Sequence, residues 1–175
     1  MAGLQCCQNP PDISLSSGSG CVEEIGGLQS YVSGSLESKL GILLVSDVFG
    51  KVVGELAKSG DLKAIVMMHP SLVTVDDIKV SIDFSVRNDK CKFSEIKVPI
   101  SILGAEVDQL SSPELVKQFE QVLQTKSDQV PSFVKIFNGV EHGWTVRYEI
   151  ENKEAVEHAE EAHANMLELF SKYVK

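Results

Sequence analysis

The sequence predicts an α/β domain: a mostly parallel sheet with helices on both faces, preceded by an N-terminal hairpin. Three observations point there. The short, continuous apolar runs Leu40–Val45 and Ala64–Met68 have the character of strands buried on both faces. Such runs alternate with helical segments, the order that builds a parallel sheet covered by helices. Finally, Cys21–Ile25 and Leu28–Val32 flank Gly26-Gly27, and paired glycines tolerate the positive φ of a hairpin turn.

Taken in order, residues 1–20 are rich in Pro, Ser and Gly and read as an extended leader, with one domain over 21–175. Leu40–Val45 ends in Ser46-Asp47-Val48-Phe49-Gly50, and Lys51–Ser59 is a short helix stopped by Gly60. Ala64–Met68 runs into His69-Pro70. Residues 80–94 are polar and break the rhythm, which marks a long surface loop or an insertion. The next strand lies in the apolar run from Val98, which Asp108 ends. A helix then runs from Ser112 to Gln124, with Ser as cap, Pro at the first helical position and Glu in the first turn. Phe133–Phe137 is a further strand. The last helix, Lys153–Tyr173, carries an apolar stripe of Ala155, Ala159, Ala162, Met166, Leu169 and Tyr173.

Composition narrows the function classes. The 175 residues suit one domain with a real core. A formal charge of −9 disfavours nucleic acid and anionic membrane as partners. Neither a membrane span nor a secretory signal is visible. The four cysteines, Cys6, Cys7, Cys21 and Cys91, form no C-x-x-C pair, no disulfide framework and no zinc site, so a reducing, cytoplasmic setting is expected. No cofactor and no metal are expected either.

Chemistry concentrates at two strand ends. Asp108 closes Val98-Pro-Ile-Ser-Ile-Leu-Gly-Ala-Glu-Val-Asp108, and His142 lies in the Gly-Val-Glu-His142-Gly-Trp144 turn after the next strand. An acid after one strand and a His after the following one are the last two members of the Ser/Cys…Asp…His order of α/β-hydrolases. The first member belongs on a Gly-x-Ser/Cys-x-Gly elbow, and the chain has none: Gly50/Gly54 and Gly139/Gly143 frame Val52 and Glu141.

Several segments together resemble the dienelactone hydrolase family: Cys6-Cys7-x-Asn9-Pro10-Pro11, Ser46-Asp47-Val48-Phe49-Gly50, His69-Pro70-Ser71, Leu103-Gly104-Ala105-Glu106-Val107-Asp108 and His142-Gly143-Trp144-Thr145-Val146-Arg147-Tyr148. The likeness is to the plant cytosolic type, some members of which are named endo-1,3;1,4-β-glucanases. It implies a small-molecule ester or lactone as substrate, cleaved through Cys, Asp and His. By that resemblance Asp108 orients the histidine and His142 is the base. Asp47 matches an auxiliary acid, and Arg147 lies where some members hold a substrate carboxylate. The resemblance also implies what is lacking. The helix Lys51-Val52-Val53-Gly54-Glu55-Leu56-Ala57 resembles the one that follows the family's nucleophile turn, yet it is joined directly to Gly50. The expected fold is therefore a reduced α/β-hydrolase, with the Leu40 strand beside the Ala64 strand. The gap at Gly50–Lys51 and the insertion at 80–94 read as alternative splicing or a gene-model fault. The alternative function is a catalytically inactive remnant that at most binds or self-associates through exposed strand edges.

Other side chains have plainer readings. Cys91 sits between two lysines, but in a loop that cannot supply an elbow's geometry. Ser46 and Ser71 lie near strand ends without glycine-framed turns. His69 reads as packing against the sheet ends, and His158 and His163, five apart, as surface residues. Glu106 and Asp108 make a carboxylate pair of the type a glucanase needs, but neighbouring acids are common. The site expected from sequence is thus Asp108 against His142, with no Cys or Ser in reach of the other imidazole nitrogen.

Overall fold

The computed structural model describes residues 20–25, 28–33, 35, 37–39, 62–78, 96–125 and 127–175. Chain contacts divide the protein into two compact units, Pro11–Leu44 and Val45–Lys175 together with Met1–Pro10. In the smaller unit, β1 (Cys21–Ile25) pairs antiparallel with β2 (Leu28–Val32), from Cys21 opposite Val32 to Ile25 opposite Leu28. This is the hairpin that Gly26-Gly27 predicts.

The larger unit holds β3 (Ile65–Met68), α1 (Val75–Ile78), β4 (Ile100–Val107), α2 (Pro113–Gln124), β5 (Ser132–Glu141) and α3 (Lys153–Tyr173). Its three strands are parallel in the order β3-β4-β5, with Ile65 opposite Ile100 and Ile100 opposite Ser132. The central strand β4 is buried from Ile100 to Ala105, as its unbroken apolar run requires. Alternation along the strands sorts side chains onto two faces. Ile65, Met67, Ile100 and Ile102 pack with Val116, Phe119 and Leu123 of α2. Leu103, Ala105 and Phe137 pack with Trp144 and with Ala162 of α3. Helices therefore cover both faces. The approach of α2 is close: a Cβ on Gly104 would stand 2.9 Å from Val116 Cγ2, so the strand needs glycine there.

The helix ends follow their local chemistry. Ser112 caps α2 by accepting from the Leu115 amide, and Asn152 caps α3 by accepting from the Glu154 and Ala155 amides. α1 is a single turn too short to show a periodic pattern in the sequence. It is closed by Asp77, whose carboxylate accepts from both the amide and the hydroxyl of Thr74. β5 runs on to Glu141, four residues beyond the expected end, because a bulge rather than a turn follows Phe137. His158 is half-buried with its ring edge-on to Phe137, so it is not the surface residue that its spacing suggested.

The Leu40–Val45 strand, the Lys51–Ser59 helix, the 80–94 insertion and the leader lie outside the described residues. Among the described residues, no helix is long and apolar enough to cross a membrane.

Candidate active site

The three parallel strands end on one edge of the sheet, where ligands of such sheets bind. His69–Ser71 follow β3, Asp108 follows β4 and His142 follows β5. Asp108 turns back on its own loop. Its Oδ1 accepts from the Leu110 amide at 2.8 Å and the Ser111 amide at 3.0 Å. Oδ2 is left to face His142 Nδ1 at 2.7 Å, in a pair that is almost fully buried. Burial pushes the Asp108 carboxyl up, but the hydrogen bond to His142, the Ser111 and Leu110 amides and the imidazole charge outweigh it. The carboxyl is held below its ordinary value.

A local irregularity in β5 brings His142 to that position. Ala105 pairs with Phe137, but Val107 pairs with Glu141, so β5 spends extra residues on the same rise. Gly139 takes φ +68 within this bulge, a conformation that favours glycine, and its amide donates to Glu106 Oε2 at 2.7 Å. His142 then opens a tight turn in which Gly143, at φ +92, accepts from the Val146 and Arg147 amides. Trp144 is buried against Phe137, with ring centroids 5.2 Å apart.

The far side of the imidazole is not empty. His142 Nε2 lies 3.2 Å from Ser71 Oγ, and Ser71 is 1% exposed. This corrects the expectation that no hydroxyl or thiol stands within reach. The β3 loop bends sharply enough to carry Ser71 over the imidazole. His69 sits at φ +40 and Leu72 at φ +57. Neither is a glycine, and a bulky residue there costs about 1–2 kcal/mol. His69 also packs edge-on against His142 at 4.8 Å and against Trp144 at 5.5 Å, while its Nε2 meets Thr145 Oγ1 at 2.9 Å. The three groups stand in the chain order Ser71, Asp108, His142, which is the α/β-hydrolase order. That order is the signal for Ser71 that the sequence carries, since no glycines frame it.

Of the other sequence candidates, Arg147 lies in the His142 turn and is half-buried. Asp47, Ser46 and Cys91 fall outside the described residues. Glu106 is engaged with the Gly139 amide rather than paired with Asp108 across a cleft. Among the described residues, no group of three His, Cys, Asp or Glu side chains could hold a metal ion. A cavity of about 400 Å³ lies beside the site, not in it, between the end of β5 and the start of α3, lined by Val140, Trp144, Tyr148 and His158 among others.

The sequence profile of the dienelactone hydrolase family matches residues 37–174. The chain belongs to the dienelactone hydrolase family. A maize protein named endo-1,3;1,4-beta-D-glucanase is 25% identical over 209 residues, which cover 73% of this chain and 64% of that protein. The chain thus spans less than two thirds of that relative. The alignment is longer than the chain itself, so the maize protein carries residues with no counterpart here. Among solved structures, a candidate dienelactone hydrolase from Klebsiella pneumoniae is similar with a TM-score of 0.48 and 18% identity, over 71% of this chain and 48% of that one. An alpha-beta serine hydrolase homologue from Coxiella burnetii is similar with a TM-score of 0.41 and 15% identity, over 66% and 44%.

Proposed function

We propose that this dienelactone hydrolase family chain hydrolyses a carboxylic ester or lactone, with His142 as general base and Asp108 as the acid that orients it. The observation that carries the reading is the buried 2.7 Å contact between His142 Nδ1 and Asp108 Oδ2. An ionised Asp108 can only accept at Oδ2, so Nδ1 carries the proton and Nε2 presents its lone pair. An imidazole fixed in that tautomer takes a proton from an attacking oxygen and returns it to the leaving one. Asp108 stabilises the imidazolium that forms between the two transfers.

Glucan cleavage, suggested by the maize relative's name, fits these residues less well. It needs two carboxylates across a sugar, and the carboxylate of Glu106, next along β4, is committed to the Gly139 amide. The competing reading is a splice or gene-model remnant without turnover, favoured by the near-complete burial of Ser71.

The test is hydrolysis of p-nitrophenyl acetate and a simple γ-lactone by the purified full chain. His142→Ala should lower kcat/KM by at least about 10²-fold, the usual share of a general base. Asp108→Asn should do the same at unchanged KM, since its carboxamide no longer dictates the tautomer. A wild-type rate equal to that of His142→Ala would leave the remnant reading standing.

A further inference from the structure

We infer that Ser71 is the nucleophile of this chain, attacking the ester carbonyl from a glycine-free turn to form an acyl-serine. The inference rests on the reading of His142 as general base, and adds to it the identity of the attacking atom. The alternative within that reading is a base that activates water directly, with no covalent step.

Two observations select Ser71. Its Oγ lies 3.2 Å from the imidazole nitrogen opposite the Asp108 contact, so the three side chains form one chain of hydrogen bonds. With the proton of Nδ1 directed at Asp108, Nε2 can only accept, and the Ser71 hydroxyl donates to it. That is the direction proton transfer needs. Resting distances in such relays tighten once substrate binds. Second, the backbone around Ser71 is held in an unfavourable shape by His69 at φ +40 and Leu72 at φ +57. These two strained residues flank Ser71 and fix the turn that carries it over the imidazole, built here without glycine. Against the assignment stands burial: Ser71 is 1% exposed, so substrate reaches Oγ only if the neighbouring turns give way.

The chemistry balances without a co-reactant other than water. The Ser71 O–H proton passes to His142 Nε2 as an Oγ electron pair bonds to the carbonyl carbon, and the carbonyl π pair moves to oxygen. In such turns the amide of the next residue, here Leu72, supplies one donor to that oxyanion. Collapse breaks the bond to the leaving alkoxide, which takes the proton from Nε2. Water repeats both steps and releases the acid.

The experiment treats the full chain with a fluorophosphonate, maps the adduct by peptide mass spectrometry, and compares ester hydrolysis by wild type, Ser71→Ala, Ser71→Cys and His142→Ala. The expected result is a single adduct on Ser71, absent in His142→Ala, and a loss of at least about a hundredfold in kcat/KM for Ser71→Ala. Ser71→Cys keeps a nucleophile at the same place. Its thiol should react with iodoacetamide faster than that of the Ser71→Cys/His142→Ala double variant, which holds even if Ser71→Ala were unstable. Full activity in Ser71→Ala, with loss in His142→Ala, would overturn the assignment and leave the base intact. Equal rates in all four proteins with no adduct would overturn both.

Discussion

Asp108 Oδ1 accepts from two main-chain amides and Oδ2 from one imidazole, three hydrogen bonds that all favour the ionised carboxylate. The sign of its pH dependence follows. Its carboxyl is depressed in the folded chain, so its contribution to stability is complete above its unfolded value, roughly pH 4, and is lost as pH falls through the folded one. Thermal melts between pH 7 and pH 3 should show wild type losing its advantage over Asp108→Asn as pH drops; a constant gap would mean that the pairing is not made. Asp108 and His142 were legible in the sequence because strand-end position and order survive in a string of letters. Ser71 was legible only by its place in that order, because positive φ at a histidine and a leucine leaves no residue signature, whereas a glycine-framed elbow would have.

The bulge in β5 converts a strand into a positioning device. Without the extra residues between Phe137 and Glu141, His142 would fall elsewhere relative to Asp108, and the bulge is pinned by one side chain, Glu106. Removing that pin should cost little stability, since a hydrogen bond at an exposed site is worth about 1 kcal/mol. It should instead loosen His142, the proposed base. Glu106→Ala is expected to lower kcat several-fold with KM nearly unchanged, and Glu106→Gln, which keeps an acceptor, to restore most of the loss. Gly139→Ala meets no neighbouring atom, so its cost is only the φ of +68, about 1 kcal/mol in chemical denaturation. A KM effect without a kcat effect in Glu106→Ala would assign the carboxylate to substrate binding. The two later helices and the hairpin were readable because caps, proline, paired glycines and periodicity are local signals. The bulge and α1 were not, since both depend on a side chain reaching a backbone amide that a pattern search does not see.

For the molecule as a whole, charge and apolar exposure oppose each other. Nine net negative charges make copies of the chain repel one another at neutral pH, while Leu72, Phe133, Val146 and Ile150 lie open to solvent. β5 is an edge strand of the described sheet, and an open edge is a template for a second copy. It also carries protection: Pro131 precedes it, the bulge interrupts it, and Lys135 is held by Glu161 on α3. These features blunt pairing but leave Phe133, at 43% exposure, uncovered. Self-association should therefore be governed by charge. Sedimentation at pH 7.5 should show the smallest species, with larger ones growing as pH approaches the sequence pI near 4.9 and repulsion vanishes. Phe133→Lys should suppress that growth and shift its onset to a different pH only slightly, because it removes the apolar contact and changes the total charge little. Association as strong in Phe133→Lys as in wild type would exclude the β5 edge as the contact. Association independent of pH would show that charge is not what holds the copies apart.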